Sequence, residues 1–70
     1  MTWKQEVGIC IQDLPRDFTT YESYRWMEQI LEKKHPENNN VRAKIRQVLQ
    51  QLRDDGVLKQ GRKKGQWVRI

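Results

Sequence analysis

Between Asn38 and Asp55 the apolar residues Val41, Ile45, Val48, Leu49 and Leu52 recur at intervals of three and four. At about 100° per residue they fall in one stripe, so this stretch predicts an amphipathic helix with that stripe buried. On the same projection Asn39, Ala43, Arg46, Gln47 and Gln50 occupy the opposite face, with Arg42 and Arg53 on its shoulder. A solvated helix ordinarily mixes acids with its bases, so that pairs form three or four residues apart. Here Arg42, Lys44, Arg46 and Arg53 find no such carboxylate, apart from Asp54 at the far end and Glu37 ahead of the start. Unpaired Arg beside Asn and Gln is what a helix in the DNA major groove needs, because Arg reaches guanine O6 and N7 while Asn and Gln pair with adenine. A solvated helix that happens to be basic accounts for these residues about equally well.

Seventy residues predict one small domain covering 1–70. A chain of this size buries only ~60% of its unfolded surface, which leaves no room for an enzyme's deep cleft beside its own core. The expectation is therefore a non-catalytic surface binder. Its charge is divided unevenly: residues 1–37 balance to −2 and residues 38–70 to +7, which together make the net +5. That asymmetry is the footprint of a nucleic-acid binder, or less often of a protein seeking anionic membrane. No apolar run approaches the ~20 residues that span a bilayer, and no leader pattern is present, so a soluble intracellular protein with no membrane partner is expected. One cysteine, Cys10, and one histidine, His35, exclude a disulfide framework and a zinc finger, and no metal or cofactor is expected.

Taken in order, Thr2 and Gln5 have the spacing of a capping box, and Trp3, Val7, Cys10, Ile11 and Leu14 share a face, which predicts a helix over 3–14 ended by Pro15. Cys10 on that face reads as a small buried hydrophobe. Gly8 within the helix costs ~1 kcal/mol relative to Ala or marks a close helix contact. Thr19 and Glu22 form a second capping box, opening a helix from about Thr20 to Lys34 with Tyr24, Met27, Ile30 and Leu31 on its inner side. Trp26 projects off that stripe, as a rim residue of a small core or as a contact to a partner. Asp17 and Glu32-Lys33-Lys34 could be taken for a metal-dependent nuclease centre, but that chemistry needs carboxylates converging on a metal, and a charged outer face is the better reading. Pro36 stops the second helix, His35 is placed to meet its dipole, and one of Asn38, Asn39 and Asn40 caps the third. Gly56 ends that helix in the position that tolerates left-handed geometry.

Beyond Gly56 the period changes. Val57–Gln60 and Gln66–Ile70 read as strands joined by Gly61-Arg62-Lys63-Lys64-Gly65, a hairpin with a basic tip. Two strands alone are marginal, so the hairpin should lie on the helices, with Phe18 adding a short third strand. Three helices and a hairpin make an α+β winged helix-turn-helix, whose third helix enters the major groove while the wing reaches phosphates or the adjacent minor groove.

The run His35-Pro36-Glu37-Asn38-Asn39-Asn40-Val41, with Lys44-Ile45-Arg46-Gln47 and Leu49-Gln50-Gln51-Leu52-Arg53-Asp54-Asp55-Gly56, resembles the C-terminal winged-helix domain of DpnI-type restriction endonucleases, the Dam-replacing family. Phe18-Thr19, Gly61-Arg62 and Gly65 extend the resemblance over nearly the whole chain, although the wing is longer and more basic than the family pattern. The resemblance implies binding of double-stranded DNA carrying N6-methyladenine, typically in fully methylated GATC. It also implies an attached nuclease domain, which this sequence lacks, and a prokaryotic cytoplasmic setting. Asn39, Asn40, Arg42, Ala43, Arg46, Gln47 and Gln50 are then expected to read bases, and Lys44, Arg53, Arg62, Lys63 and Lys64 to hold phosphates. Ala43 is the one small apolar residue on the outer face; it is expected to admit the methyl groups, with Trp26 and Pro36 as further candidates for their pocket. No helix is left over for dimerisation, so a monomer is expected. The competing readings are a transcriptional regulator on unmodified DNA and a protein-interaction winged helix.

Overall fold

Thr2 Oγ1 accepts the Gln5 backbone N–H at 3.2 Å, and the Gln5 side chain accepts the Thr2 N–H at 3.0 Å, so the first helix opens on a complete capping box. In this computed structural model, which describes residues 2–70, that helix, α1, spans Trp3–Cys10 and tightens into a 3-10 turn at Ile11–Asp13. The sequence predicts a single helix through residue 14. The change of pitch precedes Pro15, whose ring disfavours helical geometry in its predecessor, and Leu14 is extended at φ −87° and ψ 158°. Gly8 makes no close helix contact, because a Cβ there would meet nothing within 4 Å. Cys10 is half-buried against the core, and burial pushes its thiol pKa up, the opposite of a reactive cysteine.

The short strand β1, Asp17–Thr19, runs directly into helix α2, Thr20–Lys34. Thr19 and Glu22 exchange capping bonds at 3.1 Å each way. The inner side of α2 is rotated from the predicted one: Ser23, Met27 and Leu31 are buried, Tyr24 is half-buried and Ile30 is 40% exposed. Ser23 can occupy the interior because its hydroxyl donates to the Thr20 carbonyl at 2.6 Å, which satisfies the polar group inside its own helix. Counting apolar residues alone misplaces the stripe for that reason.

The turn after α2 uses its three asparagines differently. Asn38 Oδ1 accepts the Asn40 N–H at 2.8 Å, Asn40 Oδ1 accepts the Ala43 N–H at 3.2 Å as N-cap, and Asn39 stays exposed. His35 does more than meet the helix dipole: its Nε2 lies 2.5 Å from the otherwise buried carboxylate of Glu6, and its ring stacks on Trp3 with centroids 4.1 Å apart. A buried carboxylate needs such a partner, so this pair ties α1 to the C-terminal end of α2.

Helix α3, Val41–Asp54, buries Val41, Ile45, Val48, Leu49 and Leu52, the stripe its sequence predicts. It ends with the Val57 N–H bonded to the Leu52 carbonyl and the Gly56 N–H to the Arg53 carbonyl, at 3.0 and 3.1 Å. This double closure requires the left-handed φ of +82° that Gly56 supplies. Strands β2, Leu58–Gln60, and β3, Gln66–Arg69, complete an antiparallel sheet in the order β1-β3-β2. The third strand expected at Phe18 is present, paired Phe18 to Trp67. Phe18, Leu58 and Trp67 face inward onto Val7, Ile11, Met27, Leu31 and the α3 stripe. The architecture is an α+β winged helix.

Candidate nucleic-acid interface

With its apolar stripe buried, α3 presents Arg42, Ala43, Arg46, Gln47, Gln50 and Arg53 to solvent, while Lys44 is half-buried with its ammonium 3.5 Å from Gln47 Oε1. Asn39 and Asn40 are exposed just before the helix. Asn40 Oδ1 carries the cap bond, and its amide nitrogen makes no hydrogen bond among the described residues.

The wing is held to α2 as well as to its own strands. Thr20 N–H donates to the Gly65 carbonyl at 2.9 Å, Thr20 Oγ1 donates to the same carbonyl at 3.2 Å, and Trp67 Nε1 donates to Thr20 Oγ1 at 2.9 Å. The tip turns at Gly65, φ +83°, with the Gln66 N–H bonded to the Lys63 carbonyl. Arg62, Lys63 and Lys64 stand exposed on this tip, and among the described residues none of them is ion-paired.

Anchored in this way, the wing opens towards α3. A cleft of about 340 Å³ is lined by Arg46, Gln50 and Arg53 from α3, by Gln60, Lys64, Gly65 and Trp67 from the hairpin, and by Thr20 and Tyr24 from α2. A second depression, about 320 Å³, shares Tyr24 and adds Arg25, Glu28, Gln29 and Arg42. The fold thus brings Arg42, Arg46, Gln50, Arg53 and Lys64 along one grooved side. Four cations, Arg42, Arg46, Arg53 and Lys64, gather there against the carboxylates of Glu28 and Asp54, an excess of positive charge that favours a polyanion.

Two expectations are corrected by this geometry. Arg42 is not an unpaired cation: its Nε donates to Glu28 of α2, and its guanidinium lies 5.3 Å from the centre of the Tyr24 ring. The hydrogen bond that Arg42 donates to Glu28 and the charge of that carboxylate hold Arg42 protonated even more firmly than usual. A search for acids three or four residues away cannot find this pair, since the partner is 14 residues distant on another helix. Trp26, 45% exposed, lines a separate depression with Leu14, Glu22 and Arg25, to which α3 contributes nothing. It is therefore not drawn into a pocket with Ala43, and Pro36 is exposed in the α2–α3 turn. The aromatic residue of α2 that borders α3 is Tyr24, which the periodicity assigns to the core.

Arg69 also leaves the pool of surface cations. Its Nη2 donates to the Leu14 carbonyl at 3.2 Å and its backbone pairs with Arg16, closing the 3-10 turn against the sheet. Asp17 and Glu32 join no cluster of three potential metal ligands among the described residues. Among the described residues no helix is long and apolar enough to cross a membrane.

A search of curated proteins gave no match. A family model described as the Dam-replacing HTH domain, the C-terminal domain of DpnI, matches residues 1–68. A helix-turn-helix domain of this kind is a DNA-binding module and is not itself catalytic. With a match over nearly the full length and the winged-helix architecture above, the chain belongs to the Dam-replacing helix-turn-helix family, the DpnI-type C-terminal winged-helix domain.

Proposed function

We propose that the chain reads N6-methyladenine in a GATC-like context of double-stranded DNA through α3, as a monomeric targeting module for a nuclease domain of the same restriction system. The observation that carries this reading is the exposed, carboxylate-poor face of α3 opening into one cleft with the basic wing through Arg46, Gln50, Arg53 and Lys64. In this reading Asn39, Arg42, Arg46, Gln47 and Gln50, with the free amide nitrogen of Asn40, meet base edges. Lys44, Arg53, Arg62, Lys63 and Lys64 meet phosphates.

Methylation of adenine N6 leaves one N–H for base pairing and puts a carbon where the major groove offered a donor. A side-chain amide then loses its bidentate partner, and an apolar contact must replace it. In GATC the two methylated adenines lie in neighbouring base pairs on opposite strands, so one helix can reach both methyls. Ala43, exposed near the start of α3, lets the backbone approach that point. The test is titration of one short duplex in unmethylated, hemimethylated and fully methylated GATC forms at fixed salt. Affinity should rise with each methyl group. Equal affinity for all three forms would reject methyl reading and favour a regulator of unmodified DNA.

A further inference from the structure

Arg42 enters α3 at its second residue and does not extend freely into solvent. Its Nε is bonded to Glu28, and its guanidinium leans on Tyr24. Tyr24 and Glu28 stand one turn apart on α2, so the two contacts hold the guanidinium from adjacent points on one helix. A guanidinium offers five N–H donors, and the bond to Glu28 takes the one at Nε. Among the described residues the Nη groups at its outer end have no hydrogen-bond partner, and the side chain remains 58% exposed. That outer pair of donors is the fork that fits guanine O6 and N7.

We infer that Glu28 and Tyr24 are positioning residues that hold Arg42 with its outer fork presented for guanine, and so set the base preference at the pair Arg42 faces. The inference rests on the reading of Arg42 as a base-contacting residue. Stability explains little of the arrangement, because the Arg42 side of the pair is open to solvent and ion pairs screened in this way add little to it. Affinity for phosphates does not explain it either. A carboxylate beside the DNA-facing side repels the backbone, so its presence costs general binding unless it organises a specific contact. A long side chain held in place before binding loses less freedom on complex formation, and the gain appears only where geometry matters, at the base edge.

The two roles for Glu28 predict opposite signs. If Glu28 is only a surface charge, Glu28→Ala should tighten binding to every duplex by removing a repulsive carboxylate. If it positions Arg42, the same substitution should weaken the preferred duplex relative to a scrambled one by about two- to tenfold, the cost of ordering one rotamer-rich side chain. The experiment measures Arg42→Ala, Glu28→Ala, Glu28→Gln, Tyr24→Phe and the Arg42→Ala/Glu28→Ala double variant by fluorescence anisotropy. The probes are a duplex with one fully methylated GATC, each single base-pair replacement within and beside that site, and a scrambled duplex.

The expected result is that Arg42→Ala and Glu28→Ala flatten the preference at the same base pair, with the double variant no worse than Arg42→Ala alone. Glu28→Gln, which keeps an acceptor oxygen, and Tyr24→Phe, which keeps the ring, should retain part of the preference. A melting curve for each variant identifies loss of fold, and Glu28→Gln carries the same comparison if Glu28→Ala does not fold. If Arg42→Ala weakens all duplexes equally, Arg42 is a phosphate contact and the underlying reading fails. If Arg42→Ala removes a base preference that Glu28→Ala and Glu28→Gln leave whole, the positioning role is overturned and the base contact stands. Selection from a randomised duplex pool by the same proteins reads both outcomes even if the preferred site is not GATC.

Discussion

Ala43 shows how much can depend on one small side chain. It sits in the first turn of α3, donates its N–H to the Asn40 cap, and leaves an exposed step in an otherwise long-armed face. Its helix propensity alone would also justify it, so the substitution that separates the two roles is an enlargement. Ala43→Leu keeps a strong helix former on an exposed face. It should abolish discrimination between fully methylated and unmethylated GATC while leaving circular dichroism and nonspecific binding unchanged. Retention of the full preference in competition titrations would move the methyl contact elsewhere on the surface. Arg46 and Gln47 test the same reading from the polar side. Truncating either to Ala should cost about 1–3 kcal/mol on the preferred duplex and much less on random DNA, and an equal cost on both would make them backbone contacts. At this scale the sequence is informative about type and poor about partners. Arg, Asn and Gln declare what they can bond, but that Glu28 holds Arg42, that Asn40 is spent on a cap and that Trp26 faces away from α3 are consequences of packing between helices.

The elements themselves are legible wherever local chemistry decides them. Both capping boxes form, α2 spans its predicted range, and Gly56 terminates α3, because each depends on residues a few positions apart. The α2 inner face is legible only in part: Met27 and Leu31 are buried as expected, but Ser23, whose polarity is satisfied by a bond within its own helix, joins them in place of Ile30. Gly8 is a simple case of an element short of its best sequence. It lies within α1 with open space where a side chain would be, so Gly8→Ala should stabilise the fold by up to ~1 kcal/mol, visible as a rise of a few degrees in thermal melting. A fall in the melting temperature would mean that the glycine relieves a contact absent from this structure. The wing is the other element with a separable role. Replacing Arg62, Lys63 and Lys64 together by Ala should weaken methylated and unmethylated duplexes alike. It should also flatten the dependence of log affinity on log salt by roughly one unit for each phosphate no longer neutralised. An unchanged slope would leave the wing as a solvated loop.

For the molecule as a whole, the charge asymmetry of the sequence correctly locates a basic side, but it overcounts the free cations. Arg69 is committed to the 3-10 turn and Arg42 to Glu28, so the positive surface rests on fewer residues than a census of the second half suggests. Of how the halves are joined, the sequence predicts a strand at Phe18 but not its place in the sheet. Strand β3 lies in the middle of the sheet, pairing Asp17 through Thr19 with Val68 through Gln66, and Trp67 hydrogen-bonds the first residue of α2. The chain is made from its N-terminus, and pairings this distant in sequence are among the slowest to form. A nascent chain can therefore have α1 to α3 synthesised while Phe18 still lacks Trp67, its partner across the sheet. Assembly of the two halves therefore waits on β3, the strand that covers Phe18 and carries the Trp67 bond to α2.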